Sequence, residues 1–404
     1  MKKIFDLIIA EQDRQNHTID LIASENYALP DVCQALSSSL ANKYAEGYPG
    51  KRYYAGCEIV DQIEQMAIDA CKQVFEAEHA NVQPHSGSQA NMAIYAAFLK
   101  SSDTILGMQL AAGGHLTHGS SVNFSGQLYN VISYGVDPKT ELIDYDELER
   151  IAVAHKPRLI VAGSSAYSRA IDFERIRAIA DRVGAFFVAD IAHVAGLIIA
   201  GLHPSPVPYA DAVSGTTHKT LRGPRGGFIV CKKEHQERID RAVFPGIQGG
   251  PMMNVIAAKA LAFDYAKTPE FITYQKQVLV NAKAMAEASV RNGYRIVSGG
   301  TDTHMFIIDL TDKKITGLQA QQVLEIAGIT VSRSCVPFDT QKPWIGSGIR
   351  IGVNAITARG MKMTEMSDCA EFIHRALCNH DKPELLAKIQ QDVARFCSKF
   401  PIPE

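Results

Sequence analysis

Residues 158–190 read RLIVAGSSAYSRAIDFERIRAIADRVGAFFVAD, and this stretch decides the fold. Arg158 to Gly163 is a short apolar run that predicts a strand. Phe173 to Val183 repeats apolar residues at Ile176, Ile179, Ala180 and Val183, a spacing that predicts a helix. Gly184 is a stop signal, and Ala185–Ala189 is a second apolar run that predicts a strand. Strand, helix and strand in that order predict a parallel βαβ unit, whose ligands sit beyond the carboxyl ends of the strands. Asp190 and His193 stand at such an end.

Outward from this unit, residues 58–75 carry Ile59, Ile63, Met66, Ala67, Ala70 and Val74, which predicts a helix burying that stripe. Phe228–Cys231 and Met305–Leu310 predict further strands, and 254–266 and 276–292 predict helices. The turn-prone Lys267-Thr268-Pro269 marks a domain boundary. The expected organisation is an N-terminal arm over 1–30, a large α/β domain over 31–267 and a smaller domain over 268–404.

The chain has 404 residues, 46% hydrophobic and 21% charged, with a formal charge of −2 and a pI near 6.7. This balance gives no electrostatic reason to expect nucleic acid or an anionic membrane as partner. Eight cysteines without a C-x-x-C pair fit reduced thiols in a cytosol, so a cytoplasmic location is expected. Asp6 and Glu11 interrupt the apolar stretch after Met1-Lys2-Lys3, so neither a signal peptide nor a membrane span is expected.

Several segments could carry chemistry. Ser86-Gly87-Ser88-Gln89 precedes a helical stretch and would suit a phosphate, although a simple capped helix reads the same way. Gly113-Gly114-His115-Leu116-Thr117-His118-Gly119 places two histidines three apart, but the sequence shows no nearby third ligand, so no metal site is expected. Its glycines instead let the backbone approach a ligand while one imidazole packs flat against it. Asp190 could pair with the ring N–H⁺ of a heterocycle, or could only cap a helix. Lys219 stands in Ser214–Gly227 among Thr217, His218, Arg222 and Arg225. Nearby positive charge and partial burial lower an amine's pKa, and a neutral amine attacks aldehydes. Gly346–Gly352 sets Arg350 between glycines, where its fork could meet a carboxylate, and Phe244–Pro251 is another glycine-rich turn.

Taken together, these segments resemble the serine hydroxymethyltransferase family over about residues 15 to 365. The resemblance is strongest in Leu21-Ile22-Ala23-Ser24-Glu25-Asn26, in Asn42 to Tyr54 (NKYAEGYPGKRYY), in the Gly-Gly-His loop and around Lys219. It implies a fold-type I transferase dependent on pyridoxal 5'-phosphate (PLP), with a mostly parallel sheet flanked by helices and a smaller α+β C-terminal domain. The implied reaction interconverts serine and glycine through aldimine and quinonoid intermediates and passes the hydroxymethyl carbon to tetrahydrofolate. By the resemblance, PLP is covalently held by Lys219, Asp190 pairs with the pyridine nitrogen, and His115 stacks on the ring. Ser165 and His193 contact the phenolic oxygen, and Thr216 and His218 complete the cofactor pocket. Gly87, Ser88 and Gln89 take the phosphate, with Tyr44 and Gly250 supplied by a second subunit. The implied partner is therefore a second copy of the chain, with pairing of dimers into a tetramer left open. Ser24, Tyr54 and Arg350 match the binders of the substrate carboxylate, Glu46 matches the acid–base carboxyl near the serine hydroxyl, and His193 matches a further substrate contact; Tyr54 is also counted among the catalytic residues. Arg225 matches a support of the Lys219 loop, and Leu110, Gly114 and Ser334 the folate side.

The sequence also departs from the family. Ser334 replaces an asparagine, Val353-Asn354 replaces Thr-Pro, Asn254 replaces a histidine, and Gln109 and Ala112 differ before His115. These changes bear on the one-carbon acceptor, so a folate-independent β-hydroxy amino acid aldolase of the threonine type is the alternative. A catalytically silent binding or regulatory relative ranks lower, because such a protein has no need to keep Lys219, Asp190, His115 and Arg350 together.

Overall fold

In the computed structural model, which describes residues 2–403, seven strands form the main sheet. They are β1 (His79–Asn81), β2 (Thr104–Met108), β3 (Asn130–Tyr134), β4 (Leu159–Gly163), β5 (Phe186–Asp190), β6 (Ala212–Thr216) and β7 (Gly227–Cys231). Their spatial order is β1-β7-β6-β5-β4-β2-β3, and β7 alone runs antiparallel to its neighbours. The βαβ unit expected at 158–190 is present as β4, the helix Phe173–Val183 and β5. Asp172 caps that helix by accepting from Arg175 N at 3.0 Å, and Gly184 ends it at φ 70°. β4 is buried along its whole length, as expected for a parallel strand covered on both faces. Gly163 closes β4 opposite Asp190 at φ 143°, and a Cβ there would run into the Asp190 carbonyl. Glycine is therefore what lets the two strand ends close together at Asp190.

Two helices differ from expectation. Glu58–Phe75 buries Val60, Glu64, Ala67, Ala70, Cys71 and Phe75, while Ile59 and Met66 are 66% and 59% exposed. The buried face is rotated by about one residue from the expected stripe because Glu64 turns inward to Arg52 (2.5 Å) and Gln83 (2.7 Å). The helix expected from residue 276 begins at Pro269 and runs to Arg291, since proline fits a first helical turn as well as a break.

By contact density the chain falls into two units, 28–275 and 1–27 with 276–404, so the division lies inside that helix rather than at Lys267-Thr268-Pro269. The first unit holds the main sheet; its core packs Ile94, Tyr95 and Phe98 of the helix Gly87–Phe98 against Ile105, Leu159, Val161 and Val188. The second holds an antiparallel sheet of β8 (Arg295–Ile296), β9 (Met305–Asp309), β10 (Ser332–Ser334) and β11 (Gly348–Gly352), in the order β8-β9-β11-β10. The N-terminal segment joins this unit by pairing Ile19 and Asp20 with Ile329 and Thr330. Among the described residues no helix is long and apolar enough to cross a membrane.

Candidate active site

Asp190 ends β5, and three elements converge on its carboxylate. Asn91 Nδ2, from the helix Gly87–Phe98, and His118 Nε2 donate to Oδ2 at 2.8 and 3.1 Å. The Ala192 N–H donates to Oδ1 at 3.0 Å, so the residue caps a local turn as well as facing the site. His118 Nδ1 accepts the His115 N–H at 3.2 Å, which leaves the ring proton on Nε2 for Asp190. Asn91 is held in turn, because its Oδ1 accepts from Ser214 Oγ at 2.5 Å and its Nδ2 reaches Thr117 Oγ1 at 2.8 Å. Burial pushes the Asp190 carboxyl up, but the His118 hydrogen bond, with the neighbouring His115 and Lys219, outweighs it and holds the group well below the usual carboxylate range.

The third acidic ligand that the sequence did not show is therefore present in space. His115, His118 and Asp190 have ligand atoms within 4.8 Å of one another, because β5 delivers the carboxylate to a loop 72 residues away in sequence. The His118 Nε2 lone pair is replaced by an N–H committed to Asp190, so this cluster is built as a hydrogen-bond chain.

Around Asp190 the other loops follow the same strand ends. Ser86 caps its helix by accepting from Gln89 N at 3.2 Å. The N–H groups of Gly87 and Ser88 lie in the first turn, where helix geometry gives them no intrahelical acceptor. A Cβ on Gly87 would stand 2.7 Å from Thr216 Cγ2, so only glycine allows this close approach. Ser165 donates its N–H to Gly113 O at 2.8 Å, which ties the loop after β4 to the Gly-Gly-His loop. Thr216 Oγ1 donates to Ala192 O at 3.1 Å, and Thr220 Oγ1 donates to His193 O at 3.0 Å.

The Lys219 loop folds back on itself. Gly223 N donates to Thr217 O at 2.7 Å and Thr217 Oγ1 to Pro224 O at 2.6 Å. Burial and then the charges of Lys219 and Arg225 push His218 down to about 3, so its imidazole is neutral and adds no charge beside the Lys219 amine. Arg225 is exposed on this loop, whereas Arg222 is buried with its guanidinium 5.1 Å from the Tyr274 ring centre.

A separate cluster gathers the exposed Tyr44 and Tyr54 with the half-buried Glu46 and Gly250. The Tyr44 and Tyr54 rings are 5.4 Å apart, Tyr54 OH donates to Glu46 Oε2 at 3.4 Å, and a Cβ on Gly250 would lie 2.9 Å from Tyr44 Cε1. The Glu46 charge raises the Tyr54 pKa.

In the other unit, Arg350 on β11 is half-buried, donates through Nε to Ser332 Oγ at 3.2 Å and is pushed down to about 10 by burial. The Ser24 segment lies against the same strand. Gly352 N donates to Leu21 O at 2.8 Å, His304 Nε2 meets Ala23 O at 3.1 Å, and Asn354 Nδ2 donates to Glu25 O. Asn354 thus fastens the Ser24 turn where the family pattern has proline. Ser334 turns its hydroxyl onto the Cys335 carbonyl at 2.9 Å. Asn254 donates to Leu36 O at 2.8 Å, Leu110 is exposed, and Gly114 is buried with its N–H on Gln109 O at 2.9 Å.

Sequence reasoning gave no role to Asn91, Thr117 or Ser214. The available signal was Asn91, a polar residue on an otherwise apolar helix face. The serine hydroxymethyltransferase family model matches residues 1–373.

Proposed function

The chain belongs to the serine hydroxymethyltransferase family, PLP-dependent transferases of one-carbon metabolism, and from that premise we propose that it carries PLP on Lys219 and passes the serine hydroxymethyl carbon to tetrahydrofolate. The observation that carries this reading is Asp190, an ionised carboxylate fixed by Asn91, His118 and Ala192 at the carboxyl end of β5. The residues fit the cofactor. Gly87 leaves room at the capped helix start, and the Asp190 carboxylate keeps acceptor capacity for a ring N–H⁺. When bound, PLP supplies an electron sink for a carbanion at the substrate α-carbon.

The roles of this chain's residues follow from their chemistry. Lys219 supplies the amine, and Asp190 holds the pyridine nitrogen protonated by opposite-charge pairing. His115 would pack on the ring, Ser165 and His193 would meet the phenolic oxygen, and Thr216 and His218 would line the pocket. The N–H groups of Gly87 and Ser88 and the Gln89 side-chain amide hold the phosphate, since the Gln89 backbone N–H is engaged by Ser86. Glu46, hydrogen-bonded to Tyr54, moves the proton of the serine hydroxyl. The Tyr44–Gly250 cluster serves a partner's site in a homodimer. Supporting this, Tyr44, Tyr53, Ile59 and Met66 are large exposed apolar or aromatic side chains on the same unit. All eight cysteines are free, which suits a reducing cytoplasm.

Arg350, with Ser24, takes the substrate carboxylate. Removing a charge-assisted bidentate pair in a partly buried site costs on the order of 2–5 kcal/mol. Arg350→Ala is therefore expected to weaken serine binding by roughly 30-fold or more, and unchanged serine KM and kcat would place the carboxylate elsewhere.

The acceptor is tested by serine cleavage with and without tetrahydrofolate. Ser334 offers one hydroxyl, already donated to Cys335 O, where an asparagine offers a donor and an acceptor to the pteridine edge. One neutral hydrogen bond contributes about 0.5–1.5 kcal/mol, so Ser334→Asn is expected to tighten tetrahydrofolate roughly threefold to tenfold without changing glycine binding. If the parent shows no folate-stimulated cleavage and the variant gains none, the aldolase reading replaces this one.

A further inference from the structure

Helix Met253–Tyr265 carries Lys259 into the interior, where it is 1% exposed. Its Nζ donates to the carbonyls of Val82 at 2.6 Å, Gly227 at 2.7 Å and Pro84 at 3.0 Å. Burial pushes this amine down to about 7. Glu64, a nearby carboxylate, is engaged by Arg52 at 2.5 Å and by Gln83 at 2.7 Å. A buried ammonium whose hydrogen bonds all go to neutral carbonyls is costly to keep charged, and a neighbouring anion would offset that cost.

The three carbonyls belong to two segments that lead into the site. Val82 and Pro84 run directly into the Ser86–Gln89 turn, and Gly227 opens β7 at the end of the Lys219 loop. These segments are in contact, since Gly227 N donates to Pro84 O at 3.0 Å and a Cβ on Gly227 would stand 2.6 Å from Ser86 C. Lys259 Nζ is 3.0 Å from Pro84 O, and Ser86 is only two residues further on, a reach of at most about 7 Å.

We infer that Lys259 is a positioning residue for the cofactor phosphate: its ammonium fastens the Val82–Pro84 segment to Gly227 and places one positive charge behind the Gly87–Gln89 turn. The inference rests on the reading of that turn as the phosphate site. It draws the carbonyl oxygens of Val82, Pro84 and Gly227 toward Nζ, where they repel no phosphate oxygen. The charge acts through a low-dielectric interior, where one unit charge at such a distance is worth about tenfold or more in the affinity of a dianion.

The test compares PLP with pyridoxal, which lacks the phosphate, and with inorganic phosphate, each titrated into apoenzyme resolved from the holoenzyme. Wild type is expected to bind PLP more tightly than pyridoxal. In Lys259→Met the PLP-to-pyridoxal affinity ratio is expected to fall about tenfold, with inorganic phosphate weakened in parallel and pyridoxal little changed. A merely structural role would weaken both aldehydes alike and leave the ratio where it was. Should the methionine variant not fold, Lys259→Gln decides the matter, because it keeps donors to the carbonyls while removing the charge. An unchanged ratio in the folded variant, with wild type preferring PLP, overturns the role of Lys259 alone. A wild-type apoenzyme that shows no preference for PLP over pyridoxal overturns the phosphate-turn reading and this inference with it.

Discussion

Lys219→Ala is expected to abolish the borohydride-trappable bond proposed between the chain and PLP, and to lower serine cleavage by on the order of 10⁴-fold or more, as for loss of a covalent nucleophile. The expectation rests on how the loop is built. Thr217, Gly223 and Pro224 close it by hydrogen bonds of 2.6–2.7 Å, so the lysine is presented from a fixed backbone. His218 is neutral, and Arg225 projects into solvent. Lys259 does not substitute for the missing amine, because it is buried and its Nζ is already committed to three carbonyls. The measurement is peptide mapping after borohydride reduction in the presence of PLP. A reduced, labelled peptide at the same position in the alanine variant would refute the assignment.

Asp190→Asn keeps the shape of the side chain and removes its charge. Its oxygen can still accept from Asn91 and His118, while its NH2 replaces the oxygen that accepts from the Ala192 N–H and loses that one hydrogen bond. On the proposed assignment the pyridine nitrogen would then lose the partner that keeps it protonated, which matters most where charge develops in the transition state. The expected result is retention of much of the PLP affinity with a fall in kcat of about 10²–10³-fold, and loss of the long-wavelength absorbance that glycine induces. The pH dependence gives a second check. Asp190 has a folded pKa below its unfolded value, so the stability it contributes is present above the ordinary carboxylate pKa near 4 and is lost only as pH falls below it. Parent and variant should therefore differ by a constant factor across about pH 6–8, with no displaced acid limb. Normal glycine-induced absorbance in the variant would rule out this role.

Much of the scaffold was legible because it rests on local rules. The apolar runs at 159–163 and 186–190, the 3.6-residue spacing of 173–183 and the glycine at 184 specify a βαβ unit from short-range chemistry alone. That order in turn places Asp190 at a carboxyl strand end, and family resemblance supplied the expected neighbours. The helix 58–75 was less legible, because two overlapping stripes have the same period. Periodicity cannot choose between them, and the buried ion pair of Glu64 with Arg52 did.

What only the tertiary structure decided is which distant polar groups meet. His118 and Asp190 are 72 residues apart and Asn91 and Ser214 are 123 apart, yet they form one chain of hydrogen bonds. A sequence pattern records the donors and acceptors of each residue but not which of them are buried together, and it is joint burial that obliges them to pair. Lys259 is the sharpest case. In sequence it is a lysine in an alanine-rich helix, indistinguishable from a solvated one, and only the packing of that helix leaves its ammonium facing three carbonyls. The sequence by itself therefore determined the order of the local elements around Asp190, because these follow from periodicity and residue type, while the residues expected at the site came from the family resemblance. The charge state and orientation of Asp190 were decided by the fold, because they depend on burial and on partners brought from other strands and loops.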